Sequence, residues 1–596
     1  MLKKINLLTL LIGCACMATS VSADEQHPWV GIANASAFAQ RLLEYRDKHG
    51  WSELRSSLFK DAKYAYEKRI LVAEKLLYTF LWIDLMREDE GKYITNWVDK
   101  VKEANWIHPN MPDQINYDEH VLGERLSDDF LKFFFANGDL MRSTYNQWNP
   151  TDLLTEVFEV LNYLYNNHQY QFKRHTSLAF AIAFVHDVPP PSGWPHAQVG
   201  QDVLPRHLRS PEDVFIYFTN PRNAQMFHHS IRRLSLSDAI YLVDLIASPQ
   251  EIHWVHNTIN YKPDSYDNVY SMVQYDFRRA QTEKYHWLYD DYSLPVIYEA
   301  GGICVDQAYF ASQAGKIQGL PTIEFLGSGL DGRHAWFGYL PPNGGWNMEA
   351  GRYADQKYVT GYGFNPQTWS FTSDHDITFL REGYQNSRGY FSSQLHYFWA
   401  RMYSSLEDLE KAEKAAENAI ALERRNTPAW SLLIDLRKRL NLSRTRIDAT
   451  YRSVLSAVRS FSDLEAKFIT DFALFLESTG RANMAKKERS RITWKNKDSR
   501  SDLAVSSAAA ILKESMRSDS RAAQMHVYRR QLYQLGGQGG IQVLDDFVFP
   551  FVDHLYRKRR TTDAKTAILE AEKVLRSTPG SQMARDIERV KNQLRL

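Results

Sequence analysis

One stretch of this chain, Tyr285 to Phe379, breaks with everything around it. On either side apolar residues recur at three- and four-residue steps, as in Phe38-Leu42-Leu43 and Leu71-Leu76-Leu77-Phe80-Leu81, which is the period of packed helices. Between 285 and 379 the chain becomes rich in Gly and Pro. It carries β-type runs there, such as Thr322-Ile323-Glu324-Phe325 and Ala335-Trp336-Phe337-Gly338-Tyr339. With 596 residues the chain is long enough for three or four domains. The pattern predicts a helical domain over 24–210, a helical lead-in over 211–284, a small α+β core over 285–385 and a helical region over 390–596. The run Pro189-Pro190-Pro191-Ser192-Gly193, followed by Pro195, Pro205 and Pro211, cannot be helical and marks a domain edge.

Charge narrows the function classes. Lys plus Arg number 72 against 71 for Asp plus Glu, a balance that points to no nucleic-acid groove. The chain opens with Lys3 and Lys4, an apolar run from Leu7, and Val21-Ser22-Ala23 before Asp24, the layout of an export signal over 1–23. Leu11-Ile12-Gly13-Cys14 also resembles a bacterial lipobox, in which Cys14 is acylated and a lipid anchor is the only membrane attachment. Both readings predict export, to the periplasm or to the envelope surface. Thr176 to Val185 is too short to span a bilayer and reads as a buried helix.

Cysteine counting then isolates one residue. Of three cysteines, Cys14 and Cys16 fall within the signal, which leaves Cys304. A single thiol in an oxidising compartment is either inert and buried or reactive. Its context is Gly301-Gly302-Ile303-Cys304-Val305-Asp306-Gln307-Ala308-Tyr309, a tight turn opening into a helix with Cys304 in the first turn. Free N–H groups and the positive dipole end at that position favour a thiolate and are expected to lower its pKa. Gly319-Leu320-Pro321 ends the helix, and after a Gly-rich tip comes Arg333-His334-Ala335-Trp336. A helix-borne Cys facing a strand-borne His is the arrangement that acyl transfer through a thioester requires.

These residues resemble the transglutaminase-like family. Gly302-Ile303-Cys304, Ala308, Gly319-Leu320-Pro321, His334-Ala335-Trp336 and Gly345-Trp346 stand in the family's order, over about a sixth of the chain. The resemblance implies a papain/transglutaminase-like core, with a helix-borne Cys packed on an antiparallel sheet. It implies Cys304 as nucleophile and His334 as base, with no cofactor. The family's third member is an Asp that orients the His, and Ala350 stands at that place here. A hairpin closed at Asn343-Gly344 would put odd-numbered residues of the returning strand on the face of His334. Glu349 therefore ranks first as substitute, Asn347 second and Asp355 third. Trp287, Tyr289 and Tyr298 are candidates to complete an oxyanion hole with the Cys304 N–H.

Other features read as structural. His228-His229, His253 and His256 lack the acid or Cys spacing of a metal site, so no metal is expected. His186 and His196 flank the proline run. Beyond Gln394, Ala412 and Ala419 precede Asn426-Thr427-Pro428, and Ala567 and Val574 precede Pro579. Gly480-Arg481-Ala482 marks a third, degenerate copy. This resembles the tetratricopeptide pattern and implies a helical array able to hold a protein partner. The expectation is an exported cysteine acyl-transfer enzyme acting on a peptide, protein or peptidoglycan-peptide amide. The alternative is a degenerate fold of the same type serving as a binding scaffold.

Overall fold

A computed structural model describes residues 27–103, 120–204, 207–352, 360–518 and 520–595. The expected signal with Cys14, and the third-ranked Asp355, lie outside the described residues. The fold is α+β, with helical regions and one five-stranded antiparallel sheet. The chain divides into two compact units, one ending at Val188 and the other beginning at Pro189. The division falls at the proline run itself, ahead of the boundary expected at 210.

The first unit is helical. Asn34, Ser127 and Asn137 each accept a backbone N–H at a helix start, which satisfies donors the helix leaves open. Thr176–Val185 is a ten-residue helix whose residues from Leu178 to Val185 are all buried. Among the described residues no helix is long and apolar enough to cross a membrane.

The second unit holds the sheet. Its strands are β1 (Thr322–Ser328), β2 (Arg333–Tyr339), β3 (Asn347–Ala350), β4 (Gly361–Phe364) and β5 (Phe371–Ser373), in the order β3-β2-β1-β4-β5. The helix Cys304–Ile317 packs on it: Ala308, Ala311 and Ala314 meet Ala335, Phe337 and Tyr339 in one core. Every residue of that helix from Val305 to Ile317 is buried, which explains its lack of a polar face. Even Lys316 lies inside, its ammonium held by the carbonyls of Tyr241 (2.8 Å) and Thr322 (2.7 Å) and by Asp244 (2.7 Å). Tyr266, Val269, Tyr270 and Val273 join the same core, so 211–284 is part of the site's foundation rather than a separate lead-in.

Both ends of this helix are set by local chemistry. At its C-terminus Gly319 sits at φ +73°. The Gly319 N–H bonds Lys316 O (3.0 Å) and the Leu320 N–H bonds Gly315 O (2.8 Å), a Schellman stop followed by Pro321. At its start Gly301 has φ +76°, and a Cβ there would lie 2.7 Å from the Gln274 carbonyl oxygen. Gly302 N–H donates to that same oxygen, and Asp276 N–H to Gly302 O, each at 2.9 Å, pinning the turn that presents Cys304.

From Arg388 onward the elements of the described residues are all helices, beginning with Arg388–Ser405, Leu409–Leu422 and Thr427–Arg439. Ala412 and Ala419 are buried, and Asn426 caps the helix that carries Pro428. A π-helical turn, Val543–Val548, interrupts this series.

Candidate active site

Cys304 is the first residue of its helix and opens, with His334, on one cavity of about 910 Å³. Tyr270 ties their two elements together. Its hydroxyl donates to the Ala335 carbonyl (2.8 Å) and stands 3.4 Å from the carbonyl oxygen of Cys304. The His334 ring stacks on Trp336 (centroids 6.0 Å apart) and meets Tyr270 edge-on (6.4 Å). Its Nε2 lies 2.8 Å from the Gly351 carbonyl oxygen. A carbonyl only accepts, so in the neutral ring Nε2 carries the proton and Nδ1 holds the basic lone pair.

The thiol departs from expectation. Burial pushes Cys304 up from 9.0 to about 11, and the nearby Asp306 carboxylate adds to the rise. Backbone N–H groups of Ala335, Val305 and Cys304 itself pull the other way and do not offset it. The helix start therefore presents a protonated thiol at neutral pH. In a chain with Cys14 and Cys16 replaced by Ser, the iodoacetamide rate should climb about tenfold per pH unit up to roughly 11. Levelling off below about pH 8.5 would show a preformed thiolate instead.

A buried polar relay holds the Cys304 turn from behind. Asp306 Oδ2 accepts from the Ile303 N–H and from Arg279 Nη1, each at 2.8 Å. Asp306 Oδ1 accepts from the Tyr292 hydroxyl at 2.8 Å. Tyr292 spends its one proton on Asp306, so its oxygen accepts from His196 Nε2 at 2.9 Å. His196 Nδ1 in turn accepts from the Gln198 N–H at 3.3 Å, which fixes the tautomer. All four side chains, His196, Arg279, Tyr292 and Asp306, are buried. Nothing in their spacing, across 110 residues of sequence, announced the cluster.

The candidates for a third member part company with His334. Glu349 is 55% exposed, its carboxylate bonds Arg352 at 3.1 Å, and it does not line the cavity. Asn347 lies on the Tyr339 side of the sheet, where its Nδ2 reaches the Tyr339 hydroxyl at 3.3 Å. The parity argument fails because the β2–β3 register slips between Phe337 and Tyr339. Met348 then shares the face of Gly338, as its sulfur shows by standing 2.8 Å from where a Gly338 Cβ would be. The group on His334 Nε2 is a backbone carbonyl.

The expected oxyanion donors are also placed elsewhere. Trp287 Nε1 donates to Asp291 O at 2.9 Å, while Tyr289 and Tyr298 are exposed, and none of the three lines the cavity. Gln198 does line it, as Cys304 does. Its backbone is held at both ends, by His196 on its N–H and by the Trp287 N–H on its carbonyl (2.8 Å). Its side-chain Oε1 has no partner among the described residues. Two of the other histidines have structural partners: His229 bonds Leu340 O (2.7 Å), and His256 meets the Tyr217 hydroxyl (2.9 Å). Among the described residues no group of three or more His, Cys, Asp or Glu is arranged to hold a metal.

The far wall of the cavity comes from the C-terminal helices. Gln542, Asp545, Asp546, Ser581, Gln582 and Arg585 line it. They grip the β1–β2 hairpin, whose tip also lines the cavity. Asp331 accepts from the Thr578 N–H (3.0 Å), and its carbonyl from the Met583 N–H (3.0 Å). Gln582 Oε1 takes the Arg333 N–H (2.8 Å), and the Arg333 guanidinium bonds Asp545 and Asp586. Gly540, at φ +53°, passes so close to Gly329 that a Cβ would lie 2.4 Å from its carbonyl oxygen. Gly540 is thus required for close contact, although its Gly-rich run lacks the context of a phosphate loop.

No protein-family model matches the chain, and no curated protein is significantly similar to it.

Proposed function

We propose that the protein is an exported cysteine acyl-transfer enzyme of transglutaminase-like type, acting on a peptide, protein or peptidoglycan-peptide amide. One observation carries the reading: Cys304, at a helix start, shares a cavity with His334, whose Nε2 proton is fixed on the Gly351 carbonyl. That leaves Nδ1 as the basic nitrogen. Because the resting thiol is protonated, the proton leaves as the sulfur attacks the substrate carbonyl, with His334 taking it as general base. A tetrahedral oxyanion forms and is met by the Cys304 N–H and by the Gln198 amide. His334 then returns the proton to the departing amine, leaving a thioester on Cys304. Water or an acceptor amine releases the acyl group, and the thiol is regenerated.

The raised thiol pKa also favours a second reading, in which the same fold is a catalytically silent binding module. An activated ester separates the two. Mixed at neutral pH with p-nitrophenyl acetate, the enzyme should release a burst of p-nitrophenolate matching the amount of chain and dependent on His334. No burst, or one untouched by His334→Ala, overturns the enzymatic reading and leaves the binding module.

A further inference from the structure

The wall that the C-terminal helices add to the Cys304 cavity is charged, and its charges do not cancel. Two cations line the cavity, and both are already neutralised. Arg333 is paired with Asp545 and Asp586, and Arg585 with Glu283 at 2.9 Å. Asp331 is bound to Thr578. Asp546 differs from the other acids. It is exposed on the cavity side, its Oδ2 accepts only from Gln542 Nε2 at 3.1 Å, and among the described residues no cation pairs with it.

Five acids (Asp331, Asp545, Asp546, Glu283 and Asp586) thus stand in or directly behind the lining, against three arginines, Arg333, Arg585 and the Arg589 that bonds both Glu283 and Asp586. The whole chain is nearly neutral at +1, so this excess is local rather than a reflection of composition. The backbone concentrates it. Gln542, Asp545 and Asp546 stand at i, i+3 and i+4, the spacing of one helix face, and all three line the cavity. A second hollow of about 480 Å³, sharing Tyr275, Ala280 and Arg585 with the first, gives room for a substrate longer than the scissile bond.

We propose that the cleft takes a substrate carrying a cationic group, an ammonium or guanidinium, on the side facing the C-terminal helices, and that Asp546 recognises it. This rests on the acyl-transfer reading for the word substrate, while the electrostatic claim is testable without turnover. A carboxylate with no protein cation, inside a concave wall with a low-dielectric backing, draws a positive group more strongly than it would on an open surface. Asp545, spent on Arg333, sets the geometry of the wall, and Asp546 supplies the unspent charge.

Thiol reagents of opposite charge test this in the full chain with Cys14 and Cys16 replaced by Ser. Aminoethyl methanethiosulfonate is cationic and sulfonatoethyl methanethiosulfonate is anionic. In both the thiolate sulfur forms a disulfide and expels methanesulfinate. The ratio of their rates at Cys304, divided by the ratio for a small free thiol, should favour the cationic reagent by about tenfold. Asp546→Asn should remove most of that preference, and Asp546→Lys should invert it. A ratio equal to that of the free thiol overturns the proposal, as does a ratio that Asp546→Asn leaves unchanged. Failure of both reagents to reach Cys304 overturns it too, since the cavity would then admit no ligand. A charge preference intact in a protein with no ester burst counts against the acyl-transfer reading alone.

Discussion

His334→Ala should slow acylation of Cys304 by p-nitrophenyl acetate at pH 7 by about a thousandfold or more, with the fold unchanged. Cys304→Ala should abolish the burst outright. The double variant should be no slower than Cys304→Ala, because a nucleophile and its base act as one device and their losses do not add. The size of the His334 effect follows from the state of the thiol. With the thiol pushed up to about 11, only about one chain in ten thousand carries a thiolate at pH 7, so an enzyme lacking the base must wait for that fraction. The pH dependence has a definite sign. Without His334 the residual rate should rise with pH towards about 11, whereas with His334 it should level off once the imidazole is neutral. Far-ultraviolet circular dichroism and the urea midpoint check that the variants remain folded.

Asp306→Ala should cost about 3–5 kcal/mol of stability, measured by urea unfolding, because it strips the counter-charge from a buried arginine. Arg279 and Asp306 are respectively 3% and 0% exposed, so neither can recover its lost partner in water. The same change also orphans the Ile303 N–H and the Tyr292 hydroxyl, each of which bonds Asp306 at 2.8 Å. Asp306→Asn is the informative companion. It keeps an acceptor for Ile303 while removing the charge that raises the neighbouring thiol, so the alkylation profile of Cys304 should move to lower pH even as stability falls. A stability loss below about 1 kcal/mol for Asp306→Ala would mean the relay is not the frame of the turn.

Much of the core was legible because local chemistry dictates it. Gly301 before Cys304 and Gly319 of the Gly-Leu-Pro stop adopt left-handed backbone conformations that few residues tolerate, and they mark the helix ends observed. The β-type run Ala335–Tyr339 marked the strand of His334, and the division between the two units falls at the proline run. The short strands Gly361–Phe364 and Phe371–Ser373 escaped notice, since three or four residues carry too little periodicity to read.

What tertiary packing decides was not legible. A single-residue register slip on β3 turned Glu349 outward, and a hairpin read from sequence has no way to register such a slip. The Gly351 carbonyl that fixes His334 is backbone, and backbone leaves no mark in residue identity. Gln198 and His196 reach the site from a hundred residues upstream, and Asp545 and Gln582 from more than two hundred downstream. The thiol shift has the same origin. The free N–H groups at the helix start do favour the thiolate, but burial disfavours it by more.

The most direct test of the central claim is to trap the acyl group and locate it. The chain should be mixed with p-nitrophenyl acetate at neutral pH, quenched in acid within the burst, digested, and mapped by mass spectrometry. The account predicts acetyl on the Cys304 peptide, removed by hydroxylamine as a thioester is, and absent from His334→Ala over the same interval. Acetyl found only on lysines or on hydroxyl side chains, with the Cys304 peptide unmodified, would contradict it.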